Sequence, residues 1–353
     1  MSGGVDSSLT AALLVRQGYD VIGATMQIWD SDRPDSPEDL GCCSLTAVDD
    51  ARRVADTLGI PYYVLNFREM FAETVVNYFI AEYSAGRTPN PCIACNRYVK
   101  FEGLLKKALA LGAEYVATGH YARITYDEER RRYLLLKGID AAKDQSYALY
   151  HLNQHTLQHF LMPLGDYTKV ETRRLAAEFG LSVADKPDSQ EICFVPDDDY
   201  KAFLQEKAPA SLIPGEIVDT RGRVLGRHRG LPLYTVGQRK GLGLAAGTPL
   251  YVVALDSVHN RLIVGGAQDV FGSGLIAEDL NFIAMDELAG PITAAAKIRY
   301  SARTAEALIT PLGNGRVRVN FSQPQRAITP GQSVVFYDGD IVLGGGLIAE
   351  VTE

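Results

Sequence analysis

At 353 residues and 46% hydrophobic, the chain is long enough for two or three domains with real cores, and no apolar run approaches the roughly 18 residues of a membrane span. Lys and Arg total 35 against 43 Asp and Glu, a net charge of −8 that excludes indiscriminate nucleic-acid binding but leaves room for a localised basic patch. Five cysteines are too few, and odd in number, for a disulfide framework, so they are read for redox or metal chemistry. The opening MSGGVDSS has neither a basic nor an apolar leader region, so the cytoplasm is the expected compartment.

In chain order, residues 7–18 carry an apolar helical stripe ending at Gly18, and 21–29 (VIGATMQIW) read as a buried strand. The alternation repeats: helix at 49–59 closing on Gly59, strand at 61–66, amphipathic helix at 68–84, helix at 99–111, strand at 114–120. Strands alternating with helices predict an α/β domain with a parallel sheet. ARITY and RYLLL, on either side of DEERR, predict an antiparallel hairpin appended to that sheet, and helix resumes at 168–180. Beyond about residue 206 short β-branched runs alternate with Gly, Pro and Asn turns, which predicts an all-β region. Within it, Arg221, Arg223, Arg227, Arg229, Arg239 and Lys240 face only Glu216 and Asp219, a local basic excess that is either a solvated surface or an RNA contact.

The strongest chemical signal is SGGVDSS at 2–8, running into a helix. Two glycines let the backbone turn tightly and aim N–H groups at an anion, the serines add donors, and the helix N-terminus adds partial positive charge. This is a phosphate cradle, but without the Gly-Lys-Ser/Thr of a Walker loop it is a poor site for γ-phosphoryl transfer. It resembles the PP-loop of the ATP pyrophosphatases. Cys92 and Cys95 lie in GRTPNPCIACNRYVKF, read as a Pro/Asn loop before a helix, and Cys193 lies in DKPDSQEICFVP. Thiols beside a helix N-terminus suit a reactive thiolate. Half of a zinc site completed by Cys42 and Cys43 is the weaker reading, because adjacent side chains diverge; those two are placed near the start of the 45–59 helix. His151, His155 and His159 recur at helical spacing with no carboxylate among them and read as a helix face.

SGGVDSS, GRTPNP, TGHYAR at 118–123, KDQSY at 143–147, SQEICFV at 189–195, TVGQRKGLG at 235–243 and IRY at 298–300 together resemble, along nearly the whole chain, the tRNA-specific 2-thiouridylases of the MnmA/TrmU type. The resemblance implies a Rossmann-like PP-loop domain at 1–206, a small β-rich central domain at 207–272 and a C-terminal β-barrel contacting tRNA at 273–353. It implies ATP-dependent replacement of the C2 oxygen of the wobble uridine by sulfur, with Mg2+ as cofactor, tRNA as partner and a sulfur-donor protein, a cysteine desulfurase or relay protein, upstream. Ser2, Gly3, Gly4, Val5, Asp6, Ser7 and Ser8 would hold the ATP phosphates, Asp6 would partner magnesium, and Met26 and Gly119 would line the nucleotide. Cys193 matches the persulfide carrier and Cys95 the nucleophile that pairs with it as a disulfide after delivery. Asn90, Pro91 and Cys92 would meet a flipped target base, since C2 is out of reach in a stacked anticodon. His120, Lys143, Asp144, Gln145, Arg299, Tyr300 and Gln332 would contact the RNA around it.

Two departures stand out. No apolar strand precedes the PP-loop, which suggests a start codon assigned too late. Cys92 stands where the family places an aspartate, so Cys92, Cys95 and Cys193 form a competing iron–sulfur ligand set. Other PP-loop ligases, such as amidotransferase-type or argininosuccinate synthetase relatives, share SGGVDSS but have no use for the cysteines; a non-catalytic RNA-binding protein would leave the cradle idle.

Overall fold

The computed structural model describes residues 1–29, 45–188, 192–244 and 247–352. Cys42 and Cys43 lie outside the described residues. The chain divides into two units. The first comprises Met1–Val76, Cys92–Phe194 and Asp340–Val342, and the second Asn77–Pro91, Val195–Gly339 and Leu343–Glu353.

In the first unit, α1 (Val5–Arg16) ends before Gly18, whose φ of 88° a side chain would disfavour. Its inner face is apolar, and Leu9, Ala12 and Leu13 are fully buried with Leu175, Ala176 and Val183 in one core. Burying a leucine side chain is worth about 1.5–3 kcal/mol. β1 (Gly23–Gln27) runs parallel to β2 (Tyr62–Asn66), with Gly23 opposite Tyr62 and Gln27 opposite Asn66, and α2 (Leu45–Leu58) lies between them in sequence. The helix expected at 68–84 forms as α3 (Arg68–Phe71), a π-helical turn at Ala72–Val76 and α4 (Asn77–Ser84), the last belonging to the second unit.

Four expectations are corrected here. The helix expected at 99–111 begins at Pro91, because proline suits a first helical position, where its missing N–H is no loss. It runs as α5 (Pro91–Ala94), a π-helical stretch at Cys95–Gly103 and α6 (Leu104–Ala110), so Cys92 and Cys95 are helical residues rather than loop residues. The strand at 114–120 shrinks to β3 (Val116–Ala117), since Gly119 must leave the ladder to pack on the SGGVDSS backbone. The hairpin of β4 (Ala122–Asp127) and β5 (Arg132–Lys137) is antiparallel as expected but is not appended to the parallel strands. Instead Leu136 pairs with Ile341, and Lys137 N–H donates to Asp340 O at 2.9 Å, so residues 340–342 cover that edge. β3 pairs in parallel with β6 (Phe160–Leu161). Finally, α7 (Gln154–Gln158) carries His155 but not His151, which sits in the preceding turn with its ring buried. α8 (Lys169–Glu178) opens on a capping box in which Thr168 and Glu171 satisfy each other's backbone N–H.

The second unit includes α9 (Tyr200–Lys207) and two sheets. Four strands, β7 (Gly215–Asp219), β8 (Val224–His228), β9 (Tyr251–Asp256) and β10 (Arg261–Gly265), pack over Ile217, Val252, Leu262 and Val264. Six more close a barrel: β11 (Phe271–Phe282), β12 (Ile292–Lys297), β13 (Ala305–Gly313), β14 (Arg316–Arg326), β15 (Ser333–Asp338) and β16 (Ile341–Thr352). β11 pairs with both β14 and β16, which removes the free edges of an open sheet. Inward Val317, Val319 and Phe321 alternate with exposed neighbours on β14. Among the described residues no helix is long and apolar enough to cross a membrane.

Candidate active site

α1 starts at Val5 with Gly4 as its cap and no side chain capping it, so its first N–H groups stay available to an anion. The serines organise the turn around that end: Ser7 Oγ accepts from Ser2 N–H at 3.0 Å, and Ser8 Oγ donates to Gly4 O at 2.9 Å. Gly3 holds φ at 67°, and a Cβ there would meet Ala47 O at 2.3 Å. Gly119 closes in from the far side, where a Cβ would stand 2.8 Å from the Asp6 carbonyl carbon. Both glycines are therefore required by close approach, and Gly3 by its conformation as well. Met26 lies on β1 of the same unit.

Asp6 is held by residues that the motifs did not single out. Lys169 Nζ lies 2.7 and 2.9 Å from its two oxygens, and the Tyr121 hydroxyl donates to Oδ1 at 2.7 Å while accepting from the Thr172 hydroxyl, whose Oγ1 is 3.1 Å away. Burial first, and then the Asp6 charge, push the Tyr121 hydroxyl far above its usual range, so it stays a donor. Lys169 also meets Asp188 Oδ1 at 2.8 Å, and Asp188 further binds Lys143 at 2.8 Å and Arg173 at 3.0 Å. Burial alone would raise the Asp188 carboxyl; hydrogen bonds from Lys143 and Lys169 outweigh it and hold the group below the usual carboxylate range. Both Asp6 oxygens are met by the Lys169 ammonium, so a magnesium ion at Asp6 would share the carboxylate with Lys169.

Cys92, Cys95 and Cys193 all belong to the first unit, Cys95 buried and the other two exposed. Among the described residues no group of three or more His, Cys, Asp or Glu side chains assembles as a metal site, so the iron–sulfur ligand set expected of these cysteines finds no support. Phe194, next to Cys193, is buried against Phe71 and Trp29, with ring centroids 5.7 and 6.2 Å away. His120 is buried against Phe101, its Nδ1 2.9 Å from Thr118 Oγ1, and burial keeps it neutral well below its usual range.

Of the other residues expected at RNA, Lys143 is engaged by Asp188 as described. Asp144 accepts from Gly138 N–H and Ser146 N–H, both at 3.1 Å, and Gln145 and Tyr121 exchange backbone and side-chain bonds at 3.0 and 2.9 Å. KDQ is thus a folded corner beside Tyr121. Asn90, Pro91, Arg299, Tyr300 and Gln332 belong to the second unit. There Gln332 Nε2 donates to Thr88 O at 2.8 Å, and Thr88 N–H donates to Pro330 O at 2.9 Å, pinning the GRTPNP segment. Arg299 donates to Arg326 O at 3.2 Å, and Tyr300 is exposed.

Sequence reasoning missed Lys169, Tyr121, Asp188, Arg173 and Thr172. The one available signal was a lysine at the start of an otherwise well-capped helix, where the helix dipole disfavours it.

The family described as tRNA methyl transferase HUP domain matches residues 1–197, its PRC-barrel domain 201–266, and the aminomethyltransferase beta-barrel domain 272–348. A protein of Acetivibrio thermocellus described as tRNA-specific 2-thiouridylase MnmA is 60% identical over 349 residues, 99% of this chain and 97% of the relative. One of Moorella thermoacetica with the same description is 60% identical over 353 residues, 100% of this chain and 99% of the relative. A third, from Carboxydothermus hydrogenoformans, is 58% identical over 349 residues, 99% of this chain and 96% of the relative. The uncapped anion loop, the three cysteines of the same unit and these full-length likenesses converge: the chain belongs to the tRNA-specific 2-thiouridylases of the MnmA family.

Proposed function

We propose that this chain converts the wobble uridine of tRNA to 2-thiouridine in two steps, in the cytoplasm, with ATP as activating substrate. The observation that carries the reading is an uncapped helix N-terminus wrapped by Ser2–Ser8 in the same unit as Cys92, Cys95 and Cys193. A uridine carbonyl oxygen is a poor leaving group, and the oxygen at C2 attacks the α-phosphorus of ATP, expelling pyrophosphate. The loop N–H groups, Ser2 and Ser7 hold the phosphates, with Met26 and Gly119 beside the nucleotide. Magnesium would come with ATP, with Asp6 as its partner on the protein side.

In the second step a persulfide on Cys193 attacks C2 through its terminal sulfur, and AMP leaves with the former C2 oxygen. The Cys95 thiolate then attacks the inner sulfur of Cys193. That sulfur–sulfur bond breaks, its electron pair stays with the sulfur on C2, and a Cys95–Cys193 disulfide forms. An external thiol reduces the disulfide, and a donor protein reloads Cys193. Asn90, Pro91, Cys92, His120, Lys143, Asp144, Gln145, Arg299, Tyr300 and Gln332 shape the RNA side, as the family resemblance implies.

The test is a single-turnover assay with tRNA, ATP and persulfide-loaded enzyme. One pyrophosphate, one AMP and one 2-thiouridine per event, with release only when tRNA is present, is the expected result. Pyrophosphate release without tRNA, or thiolation by a Cys193→Ser enzyme, defeats the scheme.

A further inference from the structure

The segment that carries Asn90 and Pro91 has little with which to hold itself. Pro89 and Pro91 lack an N–H, so between Thr88 and Cys92 only Asn90 offers a backbone donor. The two rings also restrict the backbone before and at each proline, which makes the segment a short stiff rod whose place is set where it begins. It begins in a fixed corner. α4 closes in a Schellman motif: Gly86 takes a φ of 76°, its N–H donates to Tyr83 O at 3.0 Å, and the Arg87 N–H donates to Glu82 O at 2.9 Å. The Arg87 side chain returns to the same residue, with Nε donating to Glu82 Oε2 at 2.7 Å and Nη2 to Oε1. Glu82 is buried on α4, where an unpaired carboxylate would be costly, and Glu278 of β11 adds to the negative field on the guanidinium. Two parallel bonds from a planar guanidinium fix orientation as well as distance.

Thr88, the next residue, is bonded through its N–H to Pro330 O and through its carbonyl to Gln332. The turn that holds it is itself built onto the barrel. Gly331 N–H donates to Ile348 O at 2.9 Å, Ile348 N–H donates to Gln332 O at 2.8 Å, and a Cβ on Gly331 would stand 2.8 Å from Thr88 N. Ion pair and barrel turn thus pin the rod at its first two residues. We propose that Glu82 and Arg87 are positioning residues for the reaction: their pair sets where the proline-braced segment starts, and so where Asn90 and Pro91 present the target base. The inference rests on the assignment of Asn90 and Pro91 to that base. Misplacing the base slows its adenylation at saturating tRNA, while the contacts that give tRNA its affinity lie elsewhere.

The experiment measures pyrophosphate release by the full chain with ATP and a tRNA transcript bearing an unmodified wobble uridine, and the dissociation constant of that transcript separately. Arg87→Met is expected to lower the rate at saturating tRNA by about tenfold or more, with the dissociation constant changed by less than about twofold. Glu82→Gln should give a smaller loss of the same kind. The double variant should be no slower than Arg87→Met, because both substitutions sever one pair. Arg261→Gln, which breaks the exposed Arg261–Glu216 pair of the same unit, should leave rate and affinity unchanged. Where thermal melts show that Arg87→Met does not fold, Arg87→Lys, which keeps the charge but not the two-point contact, takes its place and the same outcomes are read. Three results overturn the proposal: a wild-type rate in folded Arg87→Met, a loss confined to tRNA affinity, or losses that multiply in the double variant. A wild-type rate in Asn90→Ala removes the target-base reading itself, so the two failures are told apart.

Discussion

The barrel and the anion loop hold their residues by different means. In the barrel, strands of up to 12 residues close on themselves, and backbone ladders join each strand to its neighbours. Around Asp6 the functional groups sit at the ends of short elements, and side-chain bonds from Tyr121, Lys169 and Thr172 fix them. A ladder spreads its stabilisation over many residues, whereas a charge cluster concentrates it in a few. Single substitutions should therefore damage chemistry around the anion loop and only stability in the barrel.

The largest effect is expected from sulfur itself. Cys193→Ser and Cys95→Ser should each reduce 2-thiouridine to background in nucleoside mass spectrometry while tRNA-dependent pyrophosphate release continues. Next comes Gly119→Ala, whose new methyl would stand within 2.9 Å of Asp6 and Ser7 backbone atoms. Overpacking of this kind costs about 1–3 kcal/mol. Here it should also displace the loop, so the KM for ATP should rise more than the melting temperature falls; an unchanged KM would mean that Gly119 does not back the nucleotide site.

Acid should expose the same contrast. His151 is pushed down to about 3, by burial first and then by Arg97, and neither ring nitrogen has a hydrogen-bond partner. Between that value and the ordinary 6.5 the unfolded chain binds the proton and the folded chain does not, so stability rises with pH across the window. It is lost on acidification, by about 2 kcal/mol from pH 6.5 to 5 for one such group. His151→Phe should flatten the dependence of melting temperature on pH, and an equally steep curve in the variant would place the effect elsewhere.

How much of this was legible in the sequence follows from the same contrast. SGGVDSS was legible because the chemistry of an anion turn restricts the residue types, and the β-strands because inward and outward residues alternate. Helix α8 could be read from Thr168 and Glu171, yet the function of Lys169 could not, since its partner Asp6 lies 163 residues earlier in the chain. The π-wound stretch after Pro91 keeps an apolar pattern much like that of an α-helix, and the capture of the β4–β5 hairpin by residues 340–342 depends on tertiary contact alone.

Smaller effects are expected from the second unit. Replacing Arg227, Arg229 and Arg239 together by Gln should weaken tRNA binding and reduce its salt slope by about two units, and an unchanged slope would make the patch ordinary solvated surface. Smallest of all, Ile309→Val in the fully buried barrel interior should cost about 0.5–1.5 kcal/mol in a denaturant melt and leave pyrophosphate release untouched.

The π-helical stretch from Cys95 to Gly103 has a consequence for how this enzyme can vary. Such winding holds more residues per turn than an α-helix, where each residue advances the rotation by about 100°. An additional residue inserted in the stretch could not be absorbed by winding that is already wide, and Cys92 and Cys95 would swing round by about that angle relative to Leu104–Ala110. Length changes that are harmless in a surface loop would here turn the thiols away from their neighbours. Natural and designed variants of this chain should accept insertions and deletions at the Asn314 turn between β13 and β14 far more readily than between residues 95 and 103.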